Sequence, residues 1–532
     1  MSGARPYEGE EEEAEEREFE EESGEEPVLT GTPLASCSTA VLQGIEPVPV
    51  AVEVVTTGGL PGIRLVGLPS PSVKESEERV RSALRRSGFR VPRKRFIVNL
   101  APADVRKEGS ALDLPIALAI LSAVGIIPCE KLRSWCVCGE LALDGRLRGI
   151  SGALNYAAAA EDLGRRLLLP AEVAEEAALV PSVKVYGAET LREAVEIILG
   201  NEGCPVAQPE LPEAGEDEVD FQEVRGQKAA CRAAVAAAAG GHNLLMIGPP
   251  GSGKTMIARR IPTILPPLSG NAVIEKIRIH SVAGLTRRGL SRLPPFRAPH
   301  HSVSVPGLVG GGNPLRPGEV SLAHRGVLFL DELPEFRREL LESLRMPLED
   351  GFVTVTRARM TAVFPSRVML VAAMNPCPCG FAGSDRPCRC SPGEVERYRR
   401  RLSGPLLDRI DIQVTVPRRS YDETSGGAPG ISSARYRAQV LEARQRQASR
   451  YRRCREKTNA TVAARSFKRY AALTSAARRL LRDAVDRVGL SARGADRVER
   501  VARTLADLAA SAEVKEEHIA EAVRFRTLEL PL

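Results

Sequence analysis

The sequence predicts an α/β protein, with an α+β domain first, an α/β core next and an all-α region last. Three observations carry that expectation. Over residues 35–200, apolar strand-like runs alternate with short helical ones. At 242–258, the run "HNLLMIGPPGSGKTMIA" passes from an apolar strand through a glycine-rich turn into a helix. From 473 to 527, apolar positions recur at helical period, enough for three short helices.

Each element follows from local pattern. "PVPVAVEVVTTG" and "RFIVNLAP" read as strands, and "ESEERVRSALRRSG" has helical period. The longest apolar stretch, Leu114 to Ile127, contains Pro115. It falls short of the roughly 20 residues a membrane span needs and reads as a buried helix, so no membrane partner is expected. The Pro-, Gly- and acid-rich 201–220 and the later "SYDETSGGAPGISSA" read as linkers. The breaks divide the chain into a tail (1–34), the α+β domain (35–200), a linker (201–220), the core (221–418), a second linker (419–433) and a helical lid (434–532).

Composition narrows the class. The chain has 532 residues, enough for about three domains. Its start is acidic, with no apolar run of the kind a secretory signal uses, and eleven cysteines are scattered along it. Reduced thiols in a cytoplasm are expected. Residues 1–26 hold thirteen glutamates and two arginines, −11 of a total of +6, which leaves +17 for the rest. The tail reads as a solvated disordered segment, or as a competitor with nucleic acid for the basic body.

The glycine-rich turn is a phosphate cradle. Gly248, Pro249, Pro250, Gly251, Ser252, Gly253, Lys254 and Thr255 fit Gly-x-x-x-x-Gly-Lys-Thr in the required strand–loop–helix context. Backbone N–H groups and the helix N-terminus would face the phosphates of ATP. Lys254 would reach the β/γ-phosphates and Thr255 would ligate Mg²⁺. A second apolar run, "GVLFLDEL", delivers Asp331 for Mg²⁺ and Glu332 for the attacking water. A third, "RVMLVAAMN", ends in Asn375, a polar amide suited to that water or to the γ-phosphate.

These strand ends, in this order, resemble the AAA+ ATPases. The resemblance implies that "FQEVRGQKAA" lies on the adenine side. It makes Arg409, in "GPLLDRIDIQV", an arginine finger used across a subunit boundary, and Arg493, in "GLSARGADRVERVARTLADLA", the sensor-2 arginine of the lid. Whether Arg493 acts within its own subunit or across the boundary stays open. A lid over the nucleotide would pass hydrolysis on as rigid-body rotation. Two further features mark a branch. About 60 residues separate the first helix from "GVLFLDE", more than one strand and helix need. "EDGFVTVTRARMTAVFPSRVMLVAAMN" reads as a β-hairpin framed by Phe352, Val353, Val355 and Val363, with Arg357 and Arg359 at its turn. Such helix-2 inserts and pre-sensor-1 hairpins belong to the branch of magnesium chelatase and the MCM helicases. "FRAPHHS", "GGGNP", "RPGEVSLAHRGVLFLDELPEF", "AAMNPCPCG" and "SGPLLDRIDI" resemble the magnesium chelatase-like YifB/ComM family over about residues 35–530. That resemblance implies a hexameric DNA helicase for branch migration in recombination during natural transformation, acting on single-stranded or branched DNA.

Family resemblance also makes residues 35–200 a Lon-protease-like domain. In "RKEGSALDLPIALAIL", alignment on Lys107 and Gly109 puts Ala111 at the nucleophile's position, with Ser110 one residue earlier. In "ISGALNYA", Asn155 stands where the partner lysine is expected. A serine without an amine nearby stays unactivated, so binding or ring assembly is expected rather than peptidase activity. "RVRSALRRSGFRVPRKRF" is dense in arginine; Arg93, Lys94 and Arg95 are candidate phosphate contacts or simply a solvated face.

Cys377, Cys379, Cys388 and Cys390 form Cys-x-Cys, eight residues, Cys-x-Cys. Four thiolates can close a structural Zn²⁺ site, although Cys-x-Cys is tighter than the usual knuckle; four reduced cysteines in a loop is the alternative. His300 and His301 carry no assigned role, and Trp135 reads as core. The arginine-rich "ARYRAQVLEARQRQASRYRRCREKTNA" is a solvated bridging helix or a phosphate-tracking surface. The leading function is a ring-forming ATPase moving on DNA. The alternatives are a chelatase-type motor that remodels a protein partner and an ATP-dependent protease.

Overall fold

The computed structural model describes residues 34–201, 203–211, 219–286, 290–312, 314–357, 360–418 and 429–526. The acidic tail, most of the 419–433 linker and Arg359 lie outside the described residues.

The first domain is built on a seven-stranded mixed sheet. Its spatial order is Gly62–Val66, Arg95–Ala101, Glu46–Thr57, Ala35–Gln43, Trp135–Val137, Arg166–Pro170 and Val185–Ala188. Ala35–Gln43 and Glu46–Thr57 form an antiparallel hairpin that turns at Gly44 and Ile45. The apolar helix Asp113–Ala123 is buried along nearly its whole length. Its first residue, Asp113, is also buried and is gripped by Arg79 at 2.7 and 3.0 Å. The two-pronged pairing satisfies a charge that would otherwise be costly to bury. Trp135 is core as expected, with the Arg166 guanidinium 4.1 Å over its ring.

The central domain is a five-stranded, all-parallel sheet. Its order is Phe296–Arg297, Val327–Leu330, Met369–Met374, Leu244–Ile247 and Ile412–Thr415. The strand "LLMI" at 244–247 is buried on both faces, which explains its unbroken apolar character. Alternation splits its side chains. Leu244 and Met246 join the core beneath the helices Lys228–Gly240 and Lys254–Ile264, while Leu245 and Ile247 join the core on the other face.

The lid has the three predicted helices, Ser475–Val488, Ala492–Leu508 and Glu516–Arg524. The earlier long helix, Ser433–Arg450, lies on the alanine-rich 228–240 helix, where small side chains permit close approach. It bridges core and lid as expected, but four of its arginines face the protein rather than solvent or phosphate, whereas Arg435, Arg452, Arg453 and Arg455 of the same stretch are exposed. Arg437 donates to the Thr263 carbonyl at 2.6 Å, Arg444 to the Ala238 carbonyl at 2.7 Å and Arg446 to the Asp507 carbonyl at 3.0 Å. Arg450 pairs with the buried Asp507. Burial pulls Arg444 down to about 10. These four side chains pin the helix to the core. None of the described helices is long and apolar enough to cross a membrane.

Two seams join the parts. The hairpin Phe352–Arg357 and Met360–Pro365 turns Ala362 and Phe364 inward onto Ile45 of the first domain and Ile279 of the insert. A Cβ on Gly44 would come 2.8 Å from the Ala362 Cβ, so the two turns touch tightly. Phe352 and Val363 face outward. The second seam ties lid to core. His242 Nδ1 lies 3.0 Å from Asp411 and its Nε2 2.8 Å from the Thr504 hydroxyl, and Arg497 also pairs with Asp411. Burial opposes ionisation of Asp411, but the Arg497 charge and the His242 hydrogen bond outweigh it and bring its carboxyl down to about 2.

The native pKa of Asp411 thus lies below the roughly 3.9 of an unfolded aspartate. Its contribution to stability is present in full above about pH 4 and is lost as pH falls towards about 2. In urea titrations across that window, Asp411→Asn is expected to be less stable at pH 7 and to lose less stability on acidification than the native chain.

Candidate nucleotide site

The site is assembled at the carboxyl edge of the parallel sheet. The 244–247 strand runs into the glycine turn, and Gly251 and Gly253 adopt φ of +74° and +92°, which only glycine takes without strain. A Cβ on either would meet open space, so their backbone is open to an approaching phosphate. Lys254 begins the following helix and is mostly buried. Its Nζ donates to the carbonyls of Gly248 at 2.7 Å and Pro249 at 2.9 Å, and lies 3.4 Å from Asn375 Oδ1. Burial lowers its pKa, and the nearby Asp331 and Glu332 carboxylates oppose that shift.

Asp331 follows the 327–330 strand, and its Oδ2 accepts the Thr255 hydroxyl at 2.7 Å. The hydroxyl and carboxylate thus form a hard-oxygen pair of the kind Mg²⁺ takes. Glu332 has φ of +52°, a left-handed conformation unusual for a residue with a Cβ. Strain of this kind gathers at functional positions. Its side chain is largely exposed, and its Oε2 lies 3.8 Å from His301 Nδ1. His301 stacks against His300 at 4.0 Å. No local sequence signal links the histidines to Glu332, 31 positions away from His301.

Arg409 and Arg493 lie elsewhere. Arg409 precedes the Ile412–Thr415 strand, which pairs in parallel with 244–247, Leu244 against Ile412. Arg409 is therefore at the amino edge of the sheet while Lys254 is beyond its carboxyl edge; the strand alone separates them by roughly 10 Å. Arg493 lies 3.8 Å from Asp408 and so shares the amino edge. The two arginines line one pocket with Glu349, Asp408, Lys468 and Arg497. Arg409 is mostly buried, pairing with Glu349 and the Pro405 carbonyl, whereas Arg493 is exposed. Arg409 holds the Glu349 carboxyl below its usual range.

The other predicted residues also have definite places. Arg357 is exposed at the end of its hairpin strand. Arg93 and Lys94 are exposed before the 95–101 strand, and Arg95, half-buried, begins it. The four cluster cysteines converge with all Sγ atoms within 4.8 Å of one another, close enough to hold one metal ion. Backbone N–H groups of Arg389 and Phe381 bring the Cys379 thiol down to about 6. In the first domain, Ala111 is buried, and Ser110 pairs with Glu140 rather than with an amine. Asn155 is fully buried, and its amide donates to the Ile45 carbonyl, bracing the turn that meets the hairpin.

The profile of "Magnesium chelatase, subunit ChlI" matches residues 220–424, and its C-terminal companion matches 430–526. A profile described as "Subunit ChlI of Mg-chelatase" matches 52–173. The chain is 42% identical over 508 residues to the competence protein ComM of Haemophilus influenzae, covering 93% of this chain and 98% of that one. It is 41% identical over 503 residues to YifB of Salmonella typhimurium, covering 93% and 97%. The chain belongs to the magnesium chelatase-like YifB/ComM family. An uncharacterized protein of Mycobacterium tuberculosis is a further relative, 42% identical over 497 residues, covering 93% of this chain and 98% of that one. Membership makes the chain an AAA+ ATPase by family, with ATP and Mg²⁺ as its general ligands.

Proposed function

We propose that this protein is a ring-forming ATPase that converts ATP hydrolysis into movement along, and unwinding of, single-stranded or branched DNA. One observation carries the reading: Lys254, Thr255, Asp331 and Asn375 share one edge of the sheet, and Arg409 and Arg493 share the other. The two halves of one site cannot meet inside one chain. A head-to-tail neighbour brings them together, and repeated contacts of that kind close into a ring, six-membered by family resemblance.

In this reading the backbone of Gly248–Gly253 cradles the phosphates, and Lys254 exchanges its two carbonyl acceptors for β/γ-oxygens. Thr255 and Asp331 would hold Mg²⁺, which when bound neutralises charge on the phosphate oxygens. Glu332 takes a proton from the attacking water, and Asn375 orients that water or the γ-phosphate. Arg409 and Arg493 from the neighbour stabilise charge that develops on the transferred phosphoryl group, an effect worth about 10³–10⁵ in rate for an arginine finger. Arg409 must release Glu349 to do so. The cysteine cluster is assigned to structural Zn²⁺, since four thiolates leave no open coordination position.

Support for DNA comes from the positive body of the chain, the exposed Arg357, Arg93 and Lys94, and a relative named as a competence protein. Recombination during natural transformation is the corresponding pathway. The chelatase-type motor is the second reading, supported by the family descriptions across all three matched segments. Peptidase activity has little support, because Asn155 is a buried brace and Ser110 has a carboxylate as its partner.

Forked DNA is expected to stimulate ATP hydrolysis and to be unwound. Glu332→Gln should still bind ATP but lose at least about 100-fold in hydrolysis, within the range general-base catalysis supplies, and displace no strand. Stimulation by unfolded protein but not by DNA would contradict the reading. Charge reversal at Arg93, Lys94 and Arg95 should flatten the slope of log affinity against log salt by about 0.7–0.9 for each phosphate no longer neutralised. An unchanged slope places this loop off the DNA path.

A further inference from the structure

We propose that the Cys377–Cys390 loop is a zinc-held clamp on the nucleotide loop, so that ATP affinity depends on the metal. The inference rests on the zinc assignment and adds a function to it.

The loop is continuous with the site. The Met369–Met374 strand ends at Asn375, whose Oδ1 lies 3.4 Å from Lys254 Nζ. Two residues later the chain reaches Cys377, which is fully buried. Cys377 Sγ is 3.4 Å from Cys379 Sγ and 3.7 Å from Cys388 Sγ, and Cys379 to Cys388 is 3.5 Å. Zinc–sulfur bonds of about 2.3 Å in a tetrahedron put the sulfurs about 3.8 Å apart, close to this arrangement. Backbone N–H groups of Ala382 and Cys390 point at Cys377 Sγ and Cys388 Sγ at 3.3 and 3.4 Å. Such bonds orient the sulfurs towards one another.

Gly380 lies just past the first pair of cysteines and touches the phosphate loop. Its φ is +85°. A Cβ there would come within 2.6 Å of Pro250 Cδ, 2.9 Å of Pro250 Cγ and 3.9 Å of Asn375 Cγ. The cluster therefore closes a loop whose first turn, at Gly380, rests on Pro250 and whose base carries Asn375. A metal that closes the loop removes its conformational freedom, so the ordering cost is met before ATP arrives. Without the metal, four thiols gain nothing from converging, and Gly380 and Asn375 lose their fixed positions.

The test uses the full-length chain and three readouts: bound zinc, affinity for a fluorescent ATP analogue, and melting temperature. Native protein purified without chelator should carry about one zinc per chain, the stoichiometry of a four-cysteine site. The double variant Cys388→Ser, Cys390→Ser should lose the metal and bind nucleotide at least about tenfold more weakly, a change of about 1.4 kcal/mol. Gly380→Ala should keep the metal and fold with a melting temperature a few degrees lower, as an Ala at positive φ is strained, yet weaken nucleotide at least about tenfold, with KM rising more than kcat falls. Gly380→Ala also decides the matter if the cysteine variant does not fold. Native protein without zinc overturns the metal assignment. Zinc present, with Gly380→Ala binding nucleotide as tightly as the native chain, overturns the clamp and leaves the metal site standing.

Discussion

The parallel pairing of the 244–247 strand with its two neighbours governs the rest of the molecule. Because these three strands and the adjoining 327–330 strand all run the same way, everything after them collects at one edge and everything before them at the other. The first edge gathers Lys254, Asp331 and Asn375 from three distant parts of the sequence, and the second receives Arg409. Reversing one strand would scatter these groups. The sheet therefore positions the phosphate side of the proposed site and, by the same geometry, keeps the chain's own Arg409 and Arg493 away from it.

Packing then connects that sheet to its surroundings. The 433–450 helix is fastened to the core by arginines that donate to backbone carbonyls, and Asp411 joins strand to lid through His242 and Arg497. On another side, Phe364 and Ala362 carry the hairpin onto Ile45 of the first domain. Asn155 holds, from within the first domain, the turn that meets the hairpin. Displacement of the lid or the first domain has a direct mechanical route to the sheet.

Much of this was legible from local pattern. The glycine turn, the acidic end of "GVLFLDEL", the hairpin and the three lid helices all depend on neighbours within a few residues, where periodicity and backbone chemistry act. The cysteine spacing likewise named four residues that do converge. What depends on distant contacts was not legible. Nothing in the spacing of Arg409 and Arg493 says that Asp408 meets Arg493 beside Arg409 in one pocket, or that Glu349 occupies Arg409. The left-handed backbone of Glu332 and its approach to His301 come from tertiary packing. The arginines of the 433–450 helix looked like surface charge because sequence reports their charge but not the carbonyls they meet.

The central claim is that one chain's phosphate loop works with its neighbour's arginines. Mixing Lys254→Ala with Arg409→Ala tests it most directly, because each is expected to be inactive alone. A mixed ring pairs an intact phosphate loop from the second with an intact Arg409 from the first. The mixture is expected to recover a substantial part of native ATP hydrolysis. A mixture no more active than its components, or an Arg409→Ala chain that hydrolyses ATP at the native rate by itself, would contradict it.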